Sequence, residues 1–306
     1  MLNYLQIFTW IKKKENVIFL FLITALGFFL RIYRLDYPCL WYDELCTFFR
    51  LNGDMAHTLG TLKISPFPPL YYILMNIWCK IFGFSEFSLR FPSMLFSTLS
   101  VISIYFLAKH LFSERVGMIS ALLLSVSTYS INYAHDAKMY AITWFLCIIS
   151  FIYFFKFVNN PNRKTLVLYG IFSCTTIYTM YLGFLFLIVQ NILFFSLYRG
   201  KLKPWITTNI LILLSYIPWC YYAIYNMANA SGIDWIKSTN YSKFFQRFFQ
   251  YISGIGIGDS VPGESWLLIF LVVMAFIFSI YMVIKKNKTS ASKTILPFLP
   301  GLYFPF

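Results

Sequence analysis

VIFLFLITALGFFLRIYRL, residues 17–35, is an apolar run long enough to cross a lipid bilayer as a single helix. A cleaved signal peptide has a shorter apolar run followed by small residues. Here the run is long, and Arg31 and Arg34 stand where a cleavage site would be expected. We therefore predict a membrane helix that is retained.

The composition extends this prediction to the whole chain. Its 306 residues are 59% hydrophobic and 22% aromatic, with a mean hydropathy of +0.68, which is too apolar for a soluble domain. The net charge of +14 could indicate a nucleic-acid partner. Charged residues are only 12% of the chain, however, and cluster between apolar runs, so membrane lipids explain the charge and nucleic acid is not expected.

Seven further apolar runs are candidate spans. They comprise residues 93–108, 116–133, 139–158, 165–181, 183–198, 205–224 and 265–284. We expect an all-α, polytopic transmembrane helix bundle of about eight spans, forming one membrane-embedded domain over residues 1–306.

Residues 68–82, PPLYYILMNIWCKIF, decide the topology. As a helix they would be about 22 Å long, short of a hydrocarbon core of about 30 Å. If they do not span, most of the 25 basic residues face the cytoplasm, whereas counting them as a span reverses that distribution. We predict a cytoplasmic N-terminus and juxtamembrane helices in the first outer loop.

On this topology two long loops, residues 36–92 and 225–264, lie outside the cytoplasm. All of the 11 acidic residues except Glu15 and Glu114 also lie outside. Long loops in a compact bundle are more often functional than idle. The sequence therefore predicts an extracytoplasmic site.

The adjacent acids Asp43 and Glu44 are the first candidates for that site. Carboxylates close to lipid are costly, which suggests acid–base or cation-binding work, although a solvated loop is the alternative. Cys39 and Cys46 bracket the pair and could form a disulfide in an oxidising compartment.

Other polar residues allow two interpretations each. Arg31 either snorkels to lipid headgroups or faces an anionic ligand, and Arg90 either snorkels or contacts a phosphate. His135, Asp136 and Lys138 form either a second part of the site or a solvated turn in which Asp136 pairs with Lys138.

Four motifs in order resemble polyprenyl-phosphate-sugar-dependent GT-C glycosyltransferases, the superfamily of protein O-mannosyltransferases and lipid A aminoarabinose transferases, and bacterial members most of all. They are RLDYPCLWYDE (residues 34–44), PPLYY (68–72), GFSEFSLRFPS (83–93) and DAKMYA (136–141). Cys39 stands where a serine is common, and His135 and Lys138 depart from a Gln-Glu-Ala-Arg-type stretch. The likeness covers residues 31–155, about half of the chain.

This resemblance implies a membrane glycosyltransferase, transferring a hexose or pentose from a polyprenyl-phosphate donor to a hydroxyl acceptor on a glycan, lipid or protein. The site would face outward from the cell (inner) membrane. Asp43 is expected to be the general base, and Glu44 to shape the site through a hydrogen bond or a divalent cation held with Asp43. Arg90, Lys138 and His135 would bind the donor phosphate, supported by Asp136, Tyr140 and Arg31.

An ion-coupled transporter or lipid-carrier translocase is the alternative, with Asp43, Glu44 and Asp136 relaying cations. Transporters place ionisable residues near mid-membrane, whereas the helix centres here are almost uncharged, which favours the enzyme. Members of the resembled family usually continue with more helices. We therefore expect a fragment or a shortened member, inactive if the missing helices hold the lipid tail.

The topology can be tested by labelling single introduced cysteines with a membrane-impermeant reagent. Because most basic residues should face the cytoplasm, three positions should be labelled in intact cells and three protected. The first three are Asp43, His135 and Asn240, and the protected three are Lys164, Lys201 and Lys286. Labelling of position 164 from outside would contradict the topology.

Overall fold

The computed structural model of this protein describes residues 4–37, 39–63, 67–197 and 202–229. Every regular element in these ranges is an α-helix, which confirms the predicted all-α class. The helices are α1 (Tyr4–Ile32), α2 (Tyr42–Leu51), α3 (Met55–Lys63), α4 (Leu70–Phe82), α5 (Glu86–Leu111), α6 (Glu114–Ser125), α7 (Thr128–Ala134), α8 (Tyr140–Asn159), α9 (Arg163–Thr179), α10 (Gly183–Leu197), α11 (Leu202–Ser215) and α12 (Ile217–Asn229).

Three of the described helices, α1, α5 and α8, are long and apolar enough to cross a membrane. The count rises to five if two bent pairs are each one span: α6 with α7, at 57°, and α11 with α12, at 51°. The predicted span at 265–284 and nearly all of the loop at 225–264 lie outside the described residues. The total of eight spans therefore stays a prediction.

The bends correct two predicted continuous spans, 116–133 and 205–224. At the first bend Ser127 begins a new helix, because its hydroxyl accepts a hydrogen bond from Ser130 N at 3.3 Å. At the second bend Pro218 lies in the first turn of α12. Proline has no backbone N–H to donate to the carbonyl four residues before it and its ring clashes with the preceding turn, which favours a bend at this position.

Residues 1–191 and 201–237 form one compact unit, which contains all of the site described below. A second unit comprises residues 192–200 and 238–306, of which the structure describes only the end of α10. The prediction of a single domain is therefore not tested.

The first predicted outer loop contains the three short helices α2, α3 and α4, as expected. With 13 residues, α4 is about 20 Å long, which confirms that it is too short to span. The buried Asn76 of α4 links the three helices, because its Nδ2 donates to Thr58 Oγ1 of α3 at 2.9 Å and to the carbonyl of Leu51, the last residue of α2, at 3.4 Å.

The second span was predicted to begin at Ser93, after an outer loop that ends at Pro92, but α5 begins at Glu86 and runs through this proline. Because Pro92 has no N–H, the Ser88 carbonyl has no donor four residues on. The indole Nε1 of Trp78, on α4, donates to that carbonyl at 2.9 Å. This bond compensates for the proline and docks α4 onto α5, and it leaves Arg90 inside a regular helix.

Arg31, in the last turn of α1, is fully buried and makes five hydrogen bonds. Its guanidinium donates to Ser97 Oγ, Ser130 Oγ and the carbonyls of Gly27, Leu124 and Ser125, all at 2.8 to 2.9 Å. The snorkelling interpretation is therefore wrong. The predicted contact with an anionic ligand is not tested, and these five bonds favour a structural role. The carbonyls of Leu124 and Ser125 end α6, so Arg31 holds the bend between α6 and α7.

Replacing Arg31 with lysine should lower the free energy of unfolding by about 2 to 4 kcal/mol, because an ammonium has three donors and leaves at least two buried acceptors unpaired. Arg34→Lys is the matched control, since Arg34 is exposed and lies over the rings of Tyr33 and Tyr37. Thermal unfolding in detergent measures the difference. Equal stability of the two variants would contradict the role of Arg31.

Candidate active site

Glu44 lies in the first turn of α2 and is completely buried. Its Oε2 accepts a hydrogen bond from the backbone N–H of Trp41 at 3.3 Å. A carboxylate near the N-terminus of a helix accepts a hydrogen bond from a backbone N–H that has no partner within the helix. Its negative charge also interacts favourably with the helix dipole. The sequence thus explains why α2 begins here and why Glu44 points inward.

Arg90 forms a bidentate ion pair with Glu44. Nε donates to Oε1 at 2.8 Å, and Nη2 donates to Oε2 at 2.7 Å. Arg90 also donates to the carbonyls of Leu35 and Cys39, at 3.1 and 3.4 Å. Its side chain is only 3% exposed, so the snorkelling interpretation is wrong. The predicted contact with phosphate is not tested, and these contacts favour a positioning role.

A third segment joins this ion pair through the backbone N–H of Ala137, which donates to Glu44 Oε1 at 2.9 Å. Ala137 lies in the turn between α7 and α8, 93 residues after Glu44. Asp136 and Lys138 flank Ala137, and Asp43 precedes Glu44. One hydrogen bond therefore brings together the two polar clusters that the sequence singled out.

Asp136 is buried, and its Oδ1 accepts a hydrogen bond from the indole Nε1 of Trp41 at 3.2 Å. Burial raises the pKa of Asp136 from its ordinary 3.8 to about 6, opposed by the Trp41 bond and reinforced by the charge of Glu44. The carboxyl can therefore change protonation close to neutrality. The interpretation as a solvated turn is wrong, because Asp136, Ala137 and Lys138 are all buried.

Lys138 is only 3% exposed, and no carboxylate in the described ranges forms an ion pair with it. Its Nζ lies 5.4 Å from the centroid of the Phe67 ring. Burial lowers the pKa of the Lys138 ammonium, and the charge of Asp43 is the strongest opposing influence.

His135 and Tyr140 lie at the two ends of this turn. His135 Nε2 donates to the carbonyl of Arg31 at 2.8 Å, and burial lowers the pKa of this imidazole. Its contact with α1 favours a supporting role, and its predicted phosphate contact is untested. The Tyr140 ring packs edge-on against Tyr133, with centroids 4.8 Å apart.

Asp43 has a different environment from its neighbour Glu44. Successive helical residues point about 100° apart, so Glu44 enters the core while Asp43 stays half-buried. Within the part of the chain that the structure describes, no group donates a hydrogen bond to its carboxylate. Its carboxylate is therefore accessible and has oxygens that can accept a proton or a hydrogen bond from a ligand.

The donor set does not fit a metal held by Asp43 and Glu44. Both oxygens of Glu44 already accept two hydrogen bonds each. The described residues contain no group of three or more His, Cys, Asp or Glu side chains arranged to hold an ion. Cys39 and Cys46 are free thiols, so they do not form the disulfide considered from the sequence.

Arg50, in the last turn of α2, was not among the predicted site residues. Its guanidinium carbon lies 5.1 Å from the centroid of the Phe67 ring and 5.7 Å from that of Tyr72. The available signal was its spacing, because a residue seven positions after Asp43 lies on the same helix face.

The sequence of this chain matches the family model described as dolichyl-phosphate-mannose-protein mannosyltransferase. The match covers residues 67–222, which is more than half of the 306 residues. The chain belongs to this family. The matched range of this mannosyltransferase-family chain includes Arg90, Asp136 and Lys138, and it begins after Asp43 and Glu44.

Solved structures similar to this mannosyltransferase-family chain show the same fold. The archaeal oligosaccharyltransferase AglB from Archaeoglobus fulgidus, in complex with an inhibitory peptide and a dolichol-phosphate, has a TM-score of 0.55 and 16% identity over 94% of this chain. The Archaeoglobus fulgidus oligosaccharyltransferase in complex with Zn and sulfate has a TM-score of 0.53 and 16% identity over 87% of this chain. Its apo form has a TM-score of 0.56 and 16% identity over 96% of this chain. The chain spans only 39 to 40% of the length of these proteins. No curated protein sequence matches it.

The buried carboxyl of Asp136 should make stability depend on pH. Its pKa is about 6 in the folded protein against an ordinary 3.8, so the folded state binds this proton more tightly. The free energy of unfolding should therefore fall by about 2 kcal/mol as the pH rises from about 4 to about 6. Asp136→Asn should lack this loss, while Asp36→Asn, at an exposed position, should retain it. Parallel pH curves for the wild type and Asp136→Asn in denaturant unfolding would contradict the prediction.

Proposed function

We propose that this protein is an integral-membrane glycosyltransferase that moves a sugar from a polyprenyl-phosphate donor to a hydroxyl acceptor. The observation that supports the proposal is the set of hydrogen bonds from Arg90 and Ala137 to Glu44, because Asp43 precedes Glu44 and Asp136 and Lys138 flank Ala137. Family membership supports the reaction class. The similar AglB structure contains a dolichol-phosphate, which supports a lipid-phosphate donor.

Asp43 is the proposed general base. Its carboxylate accepts the proton of the acceptor hydroxyl while the hydroxyl oxygen forms a bond to the anomeric carbon of the sugar. The bond from that carbon to the donor phosphate breaks, and the phosphate leaves with the electron pair. Lys138 stabilises the negative charge that develops on the phosphate, because a preorganised cation in a buried site acts strongly.

Glu44 and Arg90 act as positioning residues in this proposal. Their donors and acceptors are used within the protein, so neither is placed to exchange a proton with the acceptor. Asp136 orients the site through its bond to the indole of Trp41. Removing a positioning residue costs activity by moving Asp43 rather than by removing a reacting group.

The distribution of basic residues, most of which are predicted to face the cytoplasm, supports placing this reaction on the outer face of the cell membrane. The transporter alternative requires ionisable residues near the middle of broken spans. The acids and cations of this site lie instead in α2, in the second turn of α5 and in the turn between α7 and α8. This distribution favours the enzyme.

Asp43→Asn should reduce sugar transfer by about 100-fold or more while leaving the fold intact, because the amide keeps the size of the carboxylate but cannot accept the proton. Turnover of a radiolabelled polyprenyl-phosphate sugar in membranes measures the rate. Asp36→Asn is the matched control at an exposed position. Transfer at the wild-type rate by Asp43→Asn would contradict the base assignment.

Glu44→Gln distinguishes positioning from proton transfer in the same assay. The substitution leaves the buried Arg90 without its counter-charge, so it should lower thermal stability as well as turnover. Asp43→Asn should lower turnover alone. Equal stability losses in the two variants would contradict the different roles assigned to these neighbours.

A further inference from the structure

Two cations of the compact unit converge on one aromatic ring. The guanidinium carbon of Arg50 and the Nζ of Lys138 lie 5.1 and 5.4 Å from the centroid of the Phe67 ring. The three residues come from α2, from the turn before α8 and from the segment before α4. The fold therefore assembles this cation pair from positions that are distant in the sequence.

Neither cation forms an ion pair with a carboxylate within the described ranges. The ion pairs found there join Arg90 to Glu44 and Lys109 to Glu114. Burial lowers the pKa of the Lys138 ammonium, the charge of Arg50 lowers it further, and the charges of Asp43 and Asp136 act in the opposite direction. The two like charges repel each other, and a cation–π contact at an aromatic ring offsets only part of that cost. An anion held by both cations would remove it.

We propose that Arg50 and Lys138 together bind the phosphate of a lipid donor, and that these fixed cations supply the charge for which a divalent metal would otherwise be needed. This inference rests on the proposed function, and Arg50 is its new element. Arg50 offers a planar fork that can bind two phosphate oxygens, whereas Lys138 offers a point charge. Arg50 and Lys138 together are called the cation cradle.

The position of the cation cradle suits the transfer of a sugar. Arg50 follows Asp43 by seven residues, which is two turns along the same face of α2. The charge of Asp43 also acts on Lys138 more strongly than that of any other group. The base and the phosphate would therefore lie on one side of α2, as attack on the sugar between them requires.

The cation cradle also argues against a metal at the same place. The charges of Asp43 and Asp136 act on the Lys138 ammonium. A divalent cation bound near these carboxylates would therefore be repelled by the positive charge of Lys138. Glu44 has both oxygens occupied by hydrogen bonds from Arg90, Ala137 and Trp41. The carboxylates that remain are too few to replace the hydration of a divalent ion.

Binding of a short-chain isoprenyl monophosphate to the purified full chain in detergent tests the proposal by titration calorimetry. Arg50→Ala and Lys138→Ala should each weaken binding by about 10-fold or more, and Arg50→Lys should lie between Arg50→Ala and the wild type. Binding of the isoprenyl alcohol should be the same in all variants. Lys80→Ala, at an exposed position of α4, is the matched control. A chelator should leave wild-type binding unchanged.

Two results would overturn the proposal: wild-type affinity in Arg50→Ala and Lys138→Ala, or loss of binding in the chelator that Mn²⁺ or Zn²⁺ restores. Competition by inorganic phosphate would support recognition of the phosphate alone, and its absence would support joint recognition of phosphate and lipid. If an alanine variant does not fold, Lys138→Met and Arg50→Gln replace it. Binding as predicted without any sugar transfer would overturn the proposed function and keep the cation cradle. Sugar transfer at the wild-type rate in Arg50→Ala and Lys138→Ala would overturn the cation cradle and keep the proposed function.

Discussion

The arrangement of the site depends on one buried carboxylate. Glu44 has no exposed surface, and removing such a charge from water costs several kcal/mol unless donors replace the lost hydration. Four hydrogen bonds do so, two from Arg90 and one each from the backbones of Trp41 and Ala137. A buried ion pair often adds little net stability compared with apolar packing. Its value here is geometric, because each donor comes from a different segment of the chain.

The two neighbours Asp43 and Glu44 show how a helix separates structure from chemistry. A rotation of about 100° per residue turns one carboxylate into the core and leaves the next within reach of a ligand. The turn between α7 and α8 repeats the pattern, since Ala137 binds Glu44 through its backbone while Asp136 and Lys138 lie on either side. In each segment one residue, Glu44 or Ala137, makes the structural hydrogen bond, and its neighbours are not used in that bond.

The sequence was sufficient for the features that depend on length, periodicity and charge. It predicted the all-α class and the short helix at 68–82, and it singled out the two polar segments that the hydrogen bond from Ala137 to Glu44 joins. It failed where the outcome depends on a partner distant in sequence. The continuation of α5 through Pro92 needs the indole of Trp78, and the role of Arg90 needs the carboxylate of Glu44. A pattern shows which residue types are near a site, but not which donor meets which acceptor.

Arg31 extends the same constraint into the membrane helices. In an apolar surrounding each free carbonyl at a helix bend costs several kcal/mol, so the bend between α6 and α7 requires donors. Arg31 supplies them from α1, and its own carbonyl accepts from His135, the residue before Asp136. The bend and the turn that contains Asp136 are thus connected through one residue. A shift of α6 relative to α1 would have to break these bonds before it could move Asp136, so the bend supports a rigid site rather than a hinge.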